Sequence, residues 1–274
     1  MFKTLQLLQV LIVGLCMGSF FNVVIYRLPN DLSVIKPRSF CPSCKSRLSW
    51  IENIPIISWI MQKGRCINCG DSIPIKYPFI ELLTGFLFVI FTKSSPTLYT
   101  IDTNLFFQVI LSWVFLSLLT CIIFIDINNL WIPQVLINIG FIAGLLLFIS
   151  LDVYHGKFLD QSLTIKCLCS GVISFFIFES FRKFAKYIFK KDAIGRGDSK
   201  LVAMISLWLG PLGTLFAVGI AYLVAAIFCL VGLSLNLMKF RQYIPFAPFL
   251  SLGGLLVWFF GNQFFVDQVL RIYT

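Results

Sequence analysis

Long apolar runs leave one kind of fold open to this chain. Eight stretches, 5–26, 79–91, 105–125, 135–151, 163–178, 200–210, 215–235 and 246–260, carry at most one charge each. A helix needs about 20 apolar residues to cross a bilayer. Two of the stretches, 79–91 and 200–210, are short for that and need their flanks or neighbouring helices. Composition agrees: 58% of residues are hydrophobic and 12% charged, against about a quarter charged in soluble domains. Too little polar surface remains to cover a water-soluble globule, and disorder is excluded for the same reason. The expected fold is an all-α polytopic membrane protein with about eight transmembrane helices. Its parts are a first helix (1–26), a cytoplasmic loop domain (27–78) and a membrane core (79–274).

Basic residues set the orientation. Arg27, Lys36, Arg38, Lys45, Arg47, Lys63, Arg65 and Lys76 share one set of alternate loops with Arg182, Lys183, Lys186, Lys190, Lys191, Arg196, Lys200, Lys239 and Arg241. These are 17 of the 22 Lys and Arg. Lys and Arg gather on the cytoplasmic side of membrane proteins, so loop 27–78 is cytoplasmic and both termini are outside. The net charge of +10 then follows from topology, and nucleic acid is not an expected partner. The first apolar run is too long for a signal peptide, and no small-x-small cleavage site follows it. No internal repeat is visible.

Loop 27–78 holds Cys41-Pro-Ser-Cys44 and Cys66-Ile-Asn-Cys69. Two CxxC pairs at this spacing have the ligand count of a structural zinc site. Each turn lets two thiolates face one ion, and Gly70 can take a positive φ to close the second turn. Four sulfurs fill a tetrahedron and leave no position for a catalytic water. Two disulfides are the alternative, disfavoured in a reducing compartment. The other cysteines lie in apolar runs and read as small core residues. His155 stands alone in an outer loop.

Four carboxylates fall within or at the ends of spans: Glu81, Asp126, Glu179 and Asp198. An acid in a membrane helix needs a partner or a function. Asp126 follows the apolar run 105–125 at its cytoplasmic end. It is either an ordinary interfacial acid or a functional one, and a carboxylate is disfavoured at the negative end of a helix dipole. Asp198, in Gly195-Arg196-Gly197-Asp198-Ser199-Lys200, precedes the sixth span at the same depth. It could be an N-cap, with Gly195 and Gly197 permitting an unwound entry and close approach of another chain. Two carboxylates held close cannot both ionise. Such a pair can activate water through one member and protonate an amide through the other. No HExxH motif is present, and one outer His supports no Ser-His or Cys-His site. Glu179 has Arg182 and Lys183 at i+3 and i+4 as ion-pair partners. Glu81 can pair with Lys76 or Arg65.

In order along the chain stand Gly14-x-x-x-Gly18-Ser19-Phe20-Phe21-Asn22 through Arg27-Leu28-Pro29, the two CxxC pairs, and Glu52-Asn53-Ile54-Pro55. Then come Tyr77-Pro78-Phe79-Ile80-Glu81-Leu82, Ile125-Asp126 through Ile132-Pro133, Gly195-x-Gly197-Asp198-x-Lys200, and Ile244-Pro245-Phe246-Ala247-Pro248-Phe249. The ordered set resembles the type IV prepilin peptidases, a family of leader peptidase/N-methyltransferases. The resemblance implies a multi-pass enzyme of the bacterial inner (cytoplasmic) membrane, embedded in lipid, whose active site faces the cytoplasm. It implies cleavage of prepilin or pseudopilin leaders after a Gly, with Asp126 and Asp198 as the catalytic pair. It further implies N-methylation of the new N-terminus with S-adenosylmethionine, in type IV pilus or type II secretion systems. Gly64 and Arg65 match a stretch tied to methyl transfer in that family. Many relatives have an acid where this chain has Gln134, so Asp126 is the only acid of its motif.

Two other classes compete. A carboxylate-lined cation transporter would place its acids near the midplane and often shows an inverted repeat. A structural membrane anchor gives no reason for two acids at matching depth.

Overall fold

With no water in a bilayer to satisfy the backbone, apolar runs have to close their hydrogen bonds within the segment, as helices. The computed structural model describes residues 2–94, 103–154, 156, 162–190, 195–239 and 242–273, and among them every named element is helical. The helices group into two units, Met1–Asp102 and Thr103–Thr274. His155 lies outside the described residues.

The first unit holds α1 (Phe2–Arg27), the short α2 (Ile57–Met61) and α3 (Lys76–Ser94). α1 packs along α3 through small residues. A Cβ on Gly18 would lie 2.6 Å from the Cα of Glu81, and one on Gly14 would lie 2.8 Å from the Cα of Gly85. Close backbone approach of this kind drives helix pairing where lipid is the solvent. The connection 28–75 folds into two matched knuckles. Cys41 N–H bonds Ser46 O and Lys45 N–H bonds Cys41 O; Cys66 N–H bonds Asp71 O and Gly70 N–H bonds Cys66 O. The bridges Phe40–Arg47 and Arg65–Ser72 close them identically. This is a local structural repeat built on the two CxxC pairs.

The second unit holds α4 (Thr103–Asn129), α5 (Gln134–Tyr154), α6 (Leu163–Phe189), α7 (Arg196–Ser234), α8 (Ala247–Phe260) and α9 (Asn262–Tyr273). α7 is 39 residues long and breaks at Gly210, whose φ of 71° and ψ of −178° precede Pro211. This region of backbone space is essentially reserved for glycine. The chain reverses there. Tyr222 lines the same cleft as Asp198, whereas a straight helix would hold them about 36 Å apart. The stretch 201–209 of the first arm is buried throughout: Leu201, Met204, Ser206 and Leu207 have no exposed surface. Trp208 stacks on Phe115 at 4.5 Å and donates to Gly140 O at 3.0 Å. Ser206 bonds both Ser170 and Ser174 of α6. On α5, Asp152 accepts from Ser162, Leu163 and Thr164 and so holds the start of α6.

Among the described residues, five helices are long and apolar enough to cross a membrane, six if α8 and α9, bent by 90° at Gly261, form one span. The chain is thus a multi-pass membrane protein, but eight separate spans are not found among the described residues. The expected runs 200–210 and 215–235 lie on the one doubled-back element α7. The run 79–91 lies in the 19-residue α3, which carries Lys76, Glu81 and Lys93.

Candidate active site

On α4, Phe115, Leu119 and Ile122 are fully buried, and this i, i+4, i+7 stripe continues to Asp126. Asp126 is therefore aimed inward with the core and is 5% exposed. The helix ends just beyond it, where Leu130 takes φ 52° and its N–H bonds Asp126 O. Asp198, 7% exposed, sits on the inner face of α7 with Leu201, Val202 and Ile205. Helix α7 starts at Arg196 with Gly195 as N-cap. Gly197 lies inside the helix, and Asp198 is the third helical residue rather than the cap. Its carboxylate turns back and accepts the Gly195 N–H at 3.1 Å, which satisfies one orphan donor of the helix start.

Both carboxylates line one cleft of about 930 Å³ with Gln134, Arg182, Lys200, Tyr222 and Phe246. Gly197 makes the apposition sterically possible: a Cβ there would come within 3.0 Å of Ile132, in the turn that follows α4. The proline-rich 244–249 stretch also has a physical role. Ala247 N–H, at the start of α8, donates to Asp126 Oδ2 at 3.1 Å, and Phe246 packs 5.1 Å from the ring of Tyr222. Lys200 Nζ bonds Gln134 Oε1 at 2.5 Å, and Gln134 passes a hydrogen bond to Asn138. Residue spacing did not reveal Tyr222, Lys200 or the Ala247 N–H as parts of the cleft. Glu179 forms a two-point pair with Arg182 and also accepts from Ser199, next to Asp198.

In the first unit, the sulfurs of Cys41, Cys44, Cys66 and Cys69 all lie within 4.8 Å of one another, a cluster able to hold a metal ion. Cys41 and Cys69 sulfurs are 3.9 Å apart; tetrahedral Zn–S bonds of about 2.3 Å put ligand sulfurs about 3.8 Å apart. The thiols are free rather than disulfide-bonded. Ser46, through its hydroxyl and its backbone, holds the Cys44 thiol down to about 6, while burial and the neighbouring Cys66, Cys44 and Cys41 sulfurs push the Cys69 thiol up to about 12. Gly70 has the expected positive φ, 76°.

A second cavity of about 430 Å³ lies within this unit, lined by Ser19, Asn22, Glu52, Trp59, Tyr77 and Glu81 among others. Glu81 forms no ion pair with Lys76 or Arg65. Its Oε2 accepts the Ile56 N–H at 2.7 Å, because the chain folds Ile56 against α3. Glu52 Oε2 accepts from Ser49 N–H at 2.7 Å, while its Oε1 is buried without a partner. Gly64 and Arg65 do not line this cavity. Gly64, at φ 66°, lies flat against Trp59, with a would-be Cβ 3.0 Å from the indole. Arg65 is exposed. Gly64 supports the cavity wall through Trp59; Arg65 belongs to the knuckle.

Residues 12–94 match the bacterial peptidase A24 N-terminal domain, and residues 113–230 match the type IV leader peptidase family. A prepilin leader peptidase/N-methyltransferase of Bacillus subtilis (strain 168) is 32% identical, over 92% of this chain and 93% of its own length. A type 4 prepilin-like proteins leader peptide-processing enzyme of Escherichia coli O78:H11 is 30% identical, over 88% and 89%. A prepilin leader peptidase/N-methyltransferase of Myxococcus xanthus is 36% identical over 72% of this chain, a stretch that spans about half (54%) of that relative. No solved structure matches the chain. The two aspartate-bearing stretches, residues 126 and 198, both fall inside the second matched region, and the four-cysteine cluster falls inside the first. The chain belongs to the type IV leader peptidase family.

Proposed function

We propose that the protein is an intramembrane aspartic endopeptidase. It removes the leader of prepilins or pseudopilins at the cytoplasmic face of the inner membrane and then N-methylates the exposed N-terminus. The observation that carries the reading is the convergence of two buried carboxylates, Asp126 and Asp198, on one cleft from separate helices. One carboxylate is ionised and takes a proton from water, whose oxygen attacks the scissile carbonyl. The other, protonated, gives its proton to the leaving amine. Each keeps a backbone N–H, from Ala247 or Gly195, which fixes its orientation and leaves its second oxygen for water or substrate. A cation transporter gains no support, since the Lys200 ammonium lines the same cleft and would compete with a cation for the carboxylates.

The four-cysteine cluster holds structural zinc. Four sulfurs within 4.8 Å of one another, one pair at 3.9 Å, fit that ion, and four ligands close the coordination shell. Bound there, zinc supplies folding free energy rather than chemistry.

The methyl donor binds in the cavity of the first unit. S-adenosylmethionine carries a sulfonium cation, and the unpartnered Glu52 Oε1 in an aromatic-lined cavity suits a cation. A cavity of about 430 Å³ falls in the usual range for small-ligand sites, roughly 300–1,000 Å³. Glu52 and Glu81 would hold the donor, and Trp59 and Tyr77 would wall it from water.

The test is a processing assay with the purified protein and a purified prepilin, read by mass spectrometry of the substrate N-terminus. The expected product lacks the leader and, with donor present, carries one N-methyl group in place of an N–H hydrogen, a net gain of one CH2. An intact prepilin after incubation would overturn the reading. Cleavage without any methylation would overturn its second half.

A further inference from the structure

The first unit exposes an apolar patch that packing alone does not account for. Trp50 is 77% exposed, Ile60 62% and Met61 69%, and Ile51 and Ile57 are also exposed. Within 50–61 the only charged residue is Glu52, with one oxygen buried and the other accepting the Ser49 N–H. The exposed side chains Trp50, Ile51, Ile57, Ile60 and Met61 are all uncharged, while Arg47, Lys63 and Arg65 flank them, all exposed.

A strained turn produces this arrangement. Ile56 has φ 63° and ψ −50°, a conformation a β-branched residue rarely adopts. The turn is closed by Ile57 N–H to Pro55 O at 2.6 Å, the rare form of γ-turn. It is held from outside by the Glu81 carboxylate on the Ile56 N–H. Trp59 is thereby drawn inward, its Nε1 on Ile73 O at 3.0 Å, and Ile57, Ile60 and Met61 are left facing out.

Depth identifies what covers them. Glu81 lies against Gly18 of α1, nine residues before Arg27, or about 13 Å inward from the end of that helix at 1.5 Å per residue. Ile56 is bonded at that level, where α1 exposes Phe20 to its surroundings. The patch thus begins at the level of an apolar membrane helix, not out in the aqueous loop.

We infer that Trp50, Ile51, Ile57, Ile60 and Met61 form a membrane anchor that inserts into the cytoplasmic leaflet, with Arg47, Lys63 and Arg65 on anionic headgroups. Trp at the interface and basic residues beside an apolar face are the features of such a surface. The inference rests on the reading of α1 as a membrane span and is independent of either enzymatic activity.

The test uses the full chain in nanodiscs of phosphatidylethanolamine and phosphatidylglycerol, with a phosphatidylglycerol probe carrying a photoreactive acyl chain. Labelled peptides are mapped by mass spectrometry. Label is expected on 50–61 as well as on α1. The triple variant Ile57→Ser, Ile60→Ser, Met61→Ser should lose the 50–61 label and keep that of α1. Trp50→Gln, outside α2, should reduce it if the triple variant fails to assemble. Replacing phosphatidylglycerol by phosphatidylcholine around an equivalent probe should lower the yield by about fivefold or more. Label on α1 with none on 50–61 would overturn the proposal. So would labelling that disappears on adding prepilin or on raising the protein-to-disc ratio, since a peptide or a second copy would then own the patch.

Discussion

Gly197 shows how one missing methyl group can position a reaction. Its would-be Cβ meets Ile132 at 3.0 Å, so Gly197→Ala should push the start of α7 away from the turn after α4 and separate the two carboxylates. The contact calls for a shift of a few tenths of an ångström; since a 1 Å misplacement costs about a hundredfold, the expected loss in rate is several-fold, about tenfold at most. Prepilin cleavage should fall accordingly while the helical circular dichroism is unchanged, and Gly197→Ala combined with Ile132→Ala should regain part of it. An unaltered cleavage rate in the single variant would show that the contact is slack. At the same scale, Glu52→Gln removes the negative charge offered to the sulfonium. It should weaken S-adenosylmethionine binding, measured by equilibrium dialysis, by about tenfold or more, with cleavage retained. Equal affinity in the variant would move the donor elsewhere. The aspartates and cysteines were legible from residue type and spacing because buried acids and paired CxxC turns have few uses. The partner of Glu81 was not legible: its acceptor role depends on a strained turn at Ile56 that no propensity favours.

Among the elements, the reversal in α7 depends on Gly210. Nothing lies within 4 Å of its would-be Cβ, so Gly210→Ala tests backbone conformation alone. The cost should be about 1–3 kcal/mol, read as lost resistance to unfolding in mixed micelles. A loss of under a few tenths would mean that the turn tolerates a side chain. The paired knuckles make a second test. Cys66→Ser should abolish bound zinc, measured by elemental analysis of protein prepared under reducing conditions, because three ligands close the site poorly. Full zinc content in that variant would remove Cys66 from the ligand set. Apolar runs announced the helices, since length and hydropathy decide that much. They did not announce that two runs belong to one doubled-back element. That depends on a glycine torsion and on which faces are buried, and neither is written into local hydropathy.

In the whole molecule, the residues assigned to the two chemistries fall on different units: the aspartates on Thr103–Thr274, the thiol cluster and the small cavity on Met1–Asp102. The ordered motifs made this division visible only in outline. Gly64 and Arg65 stood out in the motif, while the cavity itself is walled by Trp59, Tyr77, Glu52 and Glu81, which converge only on folding. Cleavage and methylation should therefore be separable, and the aspartate pair is the claim on which the account stands. The most direct measurement is the rate of prepilin cleavage by reconstituted Asp126→Asn and Asp198→Asn, each isosteric with the parent. Methylation of a pre-cleaved pilin serves as the check on folding. Each variant should lose cleavage by roughly a thousandfold or more while methylation stays within about twofold. Cleavage by either variant at a rate near that of the parent, with methylation intact, would contradict the account.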